Sequence, residues 1–165
     1  MHKSMRKPVI GVMGGASVSP DVEKMAFELG ALVAAEGWIL LNGGRDAGVM
    51  RASAAGAKSK NGLTIGILPG ASKSDANPFI DIPIVTNMAD ARNLVNVLSS
   101  DVVVACPGSA GTITEVAMAL KNGKKVILLQ FDLRNAFALF AENSRLEYVD
   151  NPKECVEKIK RILCR

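Results

Sequence analysis

Short apolar runs alternate along the chain with stretches whose apolar residues recur at helical spacing. "PVIGVMGG" (Pro8–Gly15) predicts a strand that runs into a glycine turn. "SPDVEKMAFELGALVAAEG" predicts a helix with Ser19 as cap and Pro20 at its first position. Its residues Val22, Met25, Ala26, Leu29, Leu32 and Val33 fall on one face. "WILLN" (Trp38–Asn42) reads as the next strand, followed by a glycine turn and a small-residue helix ending near Gly62. Leu63–Leu68 is a further strand, and the turn-rich segment Pro69–Pro78 is a loop. Ile80–Thr86 predicts a short strand, with Pro83 marking an edge or irregular position. "NMADARNLVNVLSS" predicts a helix capped by Asn87, with Ala91, Leu94, Val95 and Leu98 as its core-facing stripe. After Asp101, "VVVAC" shows no polar alternation, the pattern of a central parallel strand buried on both faces. A helix over Ile113–Asn122 ends at Gly123, and "KKVILLQF" is the next strand. From Asn135 the pattern predicts a helix, a short strand near Tyr148, and a terminal helix from Pro152 to about Ile162.

Strands alternating with crossover helices predict an α/β fold: a doubly wound, mostly parallel sheet with helices on both faces. At 165 residues the chain is expected to form a single domain, 1–165, with no linker or internal repeat. Hydrophobic residues make up 48% and charged residues 22%, which excludes a disordered chain or a coiled coil. With aromatics at only 4%, the core must be mainly aliphatic.

Charge is unevenly placed. Residues 1–7 and 151–165 each carry +3, so a chain of net +4 leaves its body at −2. Basic ends on a faintly acidic body are not a nucleic-acid footprint, so no nucleic-acid partner is expected. Residues 1–7 are expected to form a flexible basic tail. Cys106, Cys155 and Cys164 lack metal-ligand spacing, and His2 is the one histidine, so no metal site is predicted. The odd cysteine count and the lack of a signal-peptide pattern predict a cytoplasmic protein. No run of 18 apolar residues occurs, so no membrane span is expected. Cys106, at the end of an apolar run, reads as a buried, inert thiol.

Ligands in such sheets sit beyond the carboxyl ends of the strands. Glycine-containing turns stand at that edge in the segments Gly14, Gly15, Ala16, Ser17; Asn42–Gly48, with Gly43, Gly44 and Gly48 ahead of Met50; and Pro107, Gly108, Ser109, Ala110, Gly111, Thr112. Neither the dinucleotide fingerprint nor the P-loop spacing is present. Glycines at strand-to-helix junctions still permit close backbone approach, and exposed N–H groups at helix starts favour an anion. These residues are the candidate binding set for a phosphate-bearing ligand. Glu115 follows Thr112 at the spacing of a capping box. Its position beside the ligand edge equally suits contact with a ribose hydroxyl or activation of water. Arg92 begins near the same edge, where its guanidinium is suited to fork a phosphate or carboxylate. Arg45, Asp46 and Lys73 are lesser candidates.

With these residues in view, "PGSAGTITE" (107–115) resembles the P-G-G-x-G-T-x-x-E signature of the Lonely Guy (LOG) proteins, often labelled "possible lysine decarboxylase". "NGGRDAGVM" (42–50) resembles their G-G-G-x-x-G-L-M segment, and "ARNLVN" (91–96) falls where they carry an arginine followed by lysine. The resemblance spans roughly residues 8–130. The string from Arg92 to Thr112 is closer to a short branch that includes molybdenum cofactor carrier proteins. It implies a Rossmann-like fold, a homodimer or larger assembly, and a nucleotide-sized ligand. In active LOG enzymes the reaction is N-glycosidic hydrolysis of a nucleoside 5′-monophosphate, and the match carries the catalytic roles to Arg92 and Glu115.

The chain departs from that pattern at Asn93, Ser109, Ala110 and Thr114, losing one cation and one carboxylate. Nothing marks a lysine for pyridoxal phosphate chemistry. Two readings follow: a nucleoside 5′-monophosphate phosphoribohydrolase, or a non-catalytic carrier of a nucleotide (AMP-like) or of the molybdenum cofactor, a pterin phosphate.

Overall fold

The computed structural model describes residues 6–164. Parallel strands and helices follow in the order β1 (Val9–Met13), α1 (Pro20–Ala35), β2 (Ile39–Asn42), α2 (Gly48–Lys58), β3 (Thr64–Leu68) and β4 (Ile82–Val85). Then come α3 (Arg92–Ser99), β5 (Val102–Ala105), α4 (Ala110–Lys121), β6 (Lys125–Leu129), α5 (Ala138–Glu142), β7 (Leu146–Val149) and α6 (Pro152–Leu163). The strands form one seven-stranded sheet in the order β4-β3-β2-β1-β5-β6-β7. Every pairing is parallel. This is the doubly wound α/β architecture predicted from the alternation of runs, and the Rossmann-like fold that the LOG resemblance implies.

Burial follows the period-2 logic of a sheet covered on both faces. Ile10, Val12, Leu40, Val102 and Val104 point to the side held by α1, α2 and α6. Met13, Leu41, Ile67, Val103 and Ala105 point to the side held by α3 and α4. β5 is fully buried, as its unbroken valine run requires. Ser19 caps α1 and Asn151 caps α6, each with proline at the start of the helix. Cys106 is wholly buried, and desolvation pushes its thiol up to about 12, so it is inert at neutral pH.

The direction of winding reverses between β1 and β5. β1 continues to β2 on one side and pairs with β5 on the other, so the ends of β1 and β5 open a crevice. Of the expected tail over 1–7, residues 1–5 lie outside the described residues. Arg6 is not loose: its guanidinium donates to both Asp101 oxygens, at 2.7 and 2.5 Å, and the Val9 N–H donates to the same carboxylate at 2.8 Å.

Two helices differ from the sequence prediction. The segment 87–91 is not helical in the α sense: Asn87 and Ala89 have φ of +52° and +46°, and a 3-10 turn over Ala89–Ala91 precedes α3. Asn87 therefore caps nothing. α3 also turns most of its predicted apolar stripe outward, although Val95 packs against the core. Arg92, Asn93, Asn96 and Val97 are buried, whereas Leu94 and Leu98 stand 39% and 50% exposed. α4 begins at Ala110, three residues before the predicted start, with Ser109 as its cap. Thr112 is thereby inside the first turn, and the capping box it was expected to form with Glu115 does not exist.

Candidate functional site

The ends of β1, β2 and β5 are laced together by main chain. The Gly15 N–H donates to the Pro107 carbonyl at 3.0 Å, and the Val49 N–H donates to the Gly15 carbonyl at 3.0 Å. Approach this close excludes side chains. A Cβ at Gly48, which already has φ of +44°, would lie 2.2 Å from the Gly15 oxygen. One at Gly108 would lie 2.1 Å from Thr112 Oγ1. Several of the turn glycines thus serve the junction itself. Asn42 fixes the second turn from below: its Nδ2 donates to the Met50 carbonyl and to Ser53 Oγ, and its Oδ1 accepts from the Gly44 N–H at 2.8 Å.

Above this junction opens a cleft of about 660 Å³. Of the residues predicted from sequence, Gly14, Gly15, Ala16, Gly43, Met50, Arg92, Ser109, Ala110, Gly111, Thr112 and Glu115 line it. Ser17, Pro107 and Gly108 line a neighbouring hollow at the start of α1 instead. Gly44 and Gly48 line neither; the former, with φ of +73°, packs on Gly66 of β3. Arg45, Asp90, Asn93, Thr114 and Met118 are among the other residues of the main cleft. Asp46 pairs with Arg51, and Lys73 stands exposed in the 3-10 turn over Lys73–Asp75.

The helix starts are not equivalent. α1 spends its cap on itself, with the Val22 N–H donating to Ser19 Oγ, and the second N–H of α2 is taken by the Gly15 carbonyl. Ser109 makes no side-chain cap bond, so the first N–H groups of α4 are left to whatever enters the cleft. Beside them, a Cβ at Gly111 would meet nothing within 4 Å: the space there is open.

Arg92 reaches the cleft from the start of α3, passing over Gly43, where a Cβ would lie 2.1 Å from its Nη1. It is 8% exposed. Nη1 donates to the Ile67 carbonyl at 2.7 Å, while Nε is buried with no partner. Burial lowers its pKa, Arg45 lowers it further, and Glu115 and Asp90 oppose this. Glu115 lies on the wall formed by α4, 7% exposed. Burial raises its pKa; the hydrogen bond from Asn96 and the charge of Arg92 pull it back in part. Arg92 and Glu115 feel each other's charge without forming an ion pair within 4.0 Å. Thr114, which stands at the position of a second carboxylate in the LOG pattern, donates its hydroxyl to the Ala110 carbonyl at 2.8 Å. Among the described residues, no cluster of His, Cys, Asp or Glu suits a metal ion, and no helix is long and apolar enough to cross a membrane.

Asn96 is the residue that sequence reading missed. It is fully buried behind the cleft and donates from Nδ2 to Glu115 Oε1 at 3.0 Å. Its spacing from Arg92, one helical turn on, is the signal that both face the same way.

Comparison with known proteins agrees with this fold. The profile of the SLOG cluster4 family matches residues 7–156. The structure superposes on the molybdenum cofactor binding protein of the phototrophic bacterium Rippkaea orientalis with a TM-score of 0.91 and 50% identity, covering 97% of this chain and 99% of that one. The molybdenum cofactor carrier protein of Chlamydomonas reinhardtii follows at a TM-score of 0.89 and 39% identity, covering 97% and 100%. A cytokinin riboside 5′-monophosphate phosphoribohydrolase of Mycobacterium tuberculosis is 32% identical over 105 residues, which is 62% of this chain and 56% of the enzyme. The chain belongs to the SLOG cluster4 family, a LOG-like, Rossmann-like branch.

Proposed function

We propose that this SLOG cluster4 protein is a carrier that binds the molybdenum cofactor, a pterin phosphate, in the cleft beyond β1 and β5. One observation carries the reading: Arg92, largely buried and with no anion paired to it among the described residues, lines the same cleft as the uncapped start of α4. A guanidinium so desolvated without an anion is costly, and a ligand phosphate supplies the counter-charge. In this arrangement the phosphate rests on the first N–H groups of α4 at Ala110–Thr112, and Arg92 forks its oxygens. The likeness in structure and sequence to cofactor-binding proteins, over nearly the whole of each chain, supports the carrier reading.

A LOG-like nucleoside 5′-monophosphate phosphoribohydrolase is the second reading, favoured by the presence of Arg92 and Glu115 in one cleft. Against it, Thr114 and Asn93 supply neither charge of the fuller LOG pattern. Purified without added ligand from cells that make the cofactor, the protein is expected to release a pterin phosphate on denaturation, identified by mass spectrometry. Incubated with AMP at high protein concentration, it is expected to release no adenine. Release of adenine that stops in Glu115→Gln would reverse the assignment.

The same reading includes self-association. Leu94 and Leu98 on α3 are exposed, and so are Ile82 and Ile84 on β4. The register pairs Ile82 with Ile65 and Ile84 with Ile67, and Ile67 packs with Val97 of α3, so the leucines and isoleucines belong to one side of the sheet. A second copy of the chain is the proposed cover for this apolar ground. Leu98→Glu is expected to sediment as a monomer under conditions where the parent is a dimer or larger. A parent that sediments as a monomer at micromolar concentration would refute it.

A further inference from the structure

Asn96 sits behind the cleft wall and touches none of its open space. Its Nδ2 is spent on Glu115 Oε1, and its Oδ1 is buried with no partner. Glu115 Oε2 accepts no hydrogen bond from the described residues, although Glu115 lines the cleft. An apolar side chain would fill the contact between α3 and α4 without the cost of an unpaired buried oxygen. What an amide adds is a donor and an acceptor on one flat group. Toward an ionised carboxylate it presents N–H. Toward a protonated carboxyl it presents Oδ1, after a half-turn about its last torsion, and accepts the acid's O–H.

We propose that Asn96 is a positioning residue for Glu115, holding one carboxyl oxygen in place in either protonation state and leaving the other for the ligand. Its use to the molecule rests on the reading of the cleft as a ligand site. The charge acting directly on Glu115 is that of Arg92 from α3; Arg45 from the turn after β2 and Asp90 from the segment before α3 line the same cleft and act on Arg92, and Thr112 and Thr114 flank Glu115 on α4. None of these replaces the contact from Asn96, which is the one side-chain hydrogen bond to the carboxyl among the described residues. The wall therefore offers the ligand a fixed oxygen that is a charged acceptor while Glu115 is ionised and the weaker carbonyl acceptor once the proton sits between Glu115 and Asn96. A ligand rich in N–H or O–H donors beside its phosphate, such as a pterin or a ribose, is matched to the ionised form.

The test is a pH titration of the ligand-free protein by NMR, following the Glu115 carboxyl carbon and the Asn96 side-chain amide together. In the parent, the Asn96 amide resonances are expected to shift with the same midpoint as Glu115. In Asn96→Leu the Glu115 midpoint should rise by about one pH unit, because burial is then less opposed. In Asn96→Asp the pair should titrate in two steps. Amide resonances that stay flat through the Glu115 titration, or a midpoint unmoved in Asn96→Leu, would overturn the proposal. The parent measurement stands even where a variant does not fold. Neither measurement needs ligand, so a cleft that retains no pterin phosphate would refute the functional reading and leave this result intact.

Discussion

Arg92→Met is expected to lower the pterin phosphate retained through purification by about a hundredfold while leaving the ligand-free fold at least as stable as the parent. Both halves have one origin. Hydrogen bonds to a charged group contribute roughly 1.5–3 kcal/mol each, and about 1.4 kcal/mol is a factor of ten in affinity. Losing a forked phosphate contact therefore removes about two orders of magnitude. In the ligand-free protein the same guanidinium is a liability: it is 8% exposed, keeps one bond to the Ile67 carbonyl, and leaves Nε unpaired. Methionine fills similar volume over Gly43 without a charge to desolvate, so replacement is expected to be neutral or stabilising. Arg92→Lys should behave like the methionine variant in binding, because an ammonium cannot fork two oxygens. Mass spectrometry of released ligand and urea unfolding of stripped protein measure the two halves. Loss of both binding and stability would make Arg92 a structural residue rather than a ligand group.

The sheet was legible in the sequence because its signals are local. Unbroken aliphatic runs such as Val102–Cys106 name central strands, and glycine turns name their carboxyl ends. The convergence of those turns followed from the topology and needed no side-chain detail. What escaped depends on contacts distant in sequence. Leu94 and Leu98 form a genuine apolar stripe, but a stripe says only that water is unwelcome, not which chain covers it. α3 instead turns Arg92, Asn93 and Asn96 inward, and no periodicity rule selects a polar face for burial. Asn96 gained meaning only through Glu115, which lies on another helix. The capping-box spacing from Thr112 to Glu115 fits locally, yet the helix starts at Ala110, where the chain leaves the turn after Pro107. Gly14, Gly43, Gly48 and Gly108 were read as room for a ligand. They are mostly room for one another's neighbours, and of the turn glycines at this edge only Gly111 would give a Cβ open space.

The glycines with the least room for a side chain lie away from the cleft. Where α1 crosses α2, a Cβ at Gly30 would lie 2.0 Å from the Ser53 carbonyl oxygen, and one at Gly56 would lie 1.9 Å from the Phe27 carbonyl oxygen. Each glycine faces the other helix's backbone, which no rotamer change can move aside. Intrinsic propensity alone predicts that alanine in a helix interior stabilises by about 1 kcal/mol relative to glycine. Packing predicts the opposite sign, since the helices must separate and loosen the layer that Ala26, Leu29, Val33 and Ala54 build over β1 and β2. Overpacking a rigid contact costs about 3 kcal/mol, which exceeds the propensity gain. Gly56→Ala is therefore expected to lower the midpoint of thermal unfolding by several degrees, at roughly 2–4 °C per kcal/mol for a chain of this size. Gly30→Ala should do the same. The two losses should not add: once one methyl has pushed the helices apart, the second finds the gap already open. A thermal melt of the two single variants and the double variant tests this. Stabilisation by either alanine, or full additivity, would mean that the helices are not in backbone contact at the crossing.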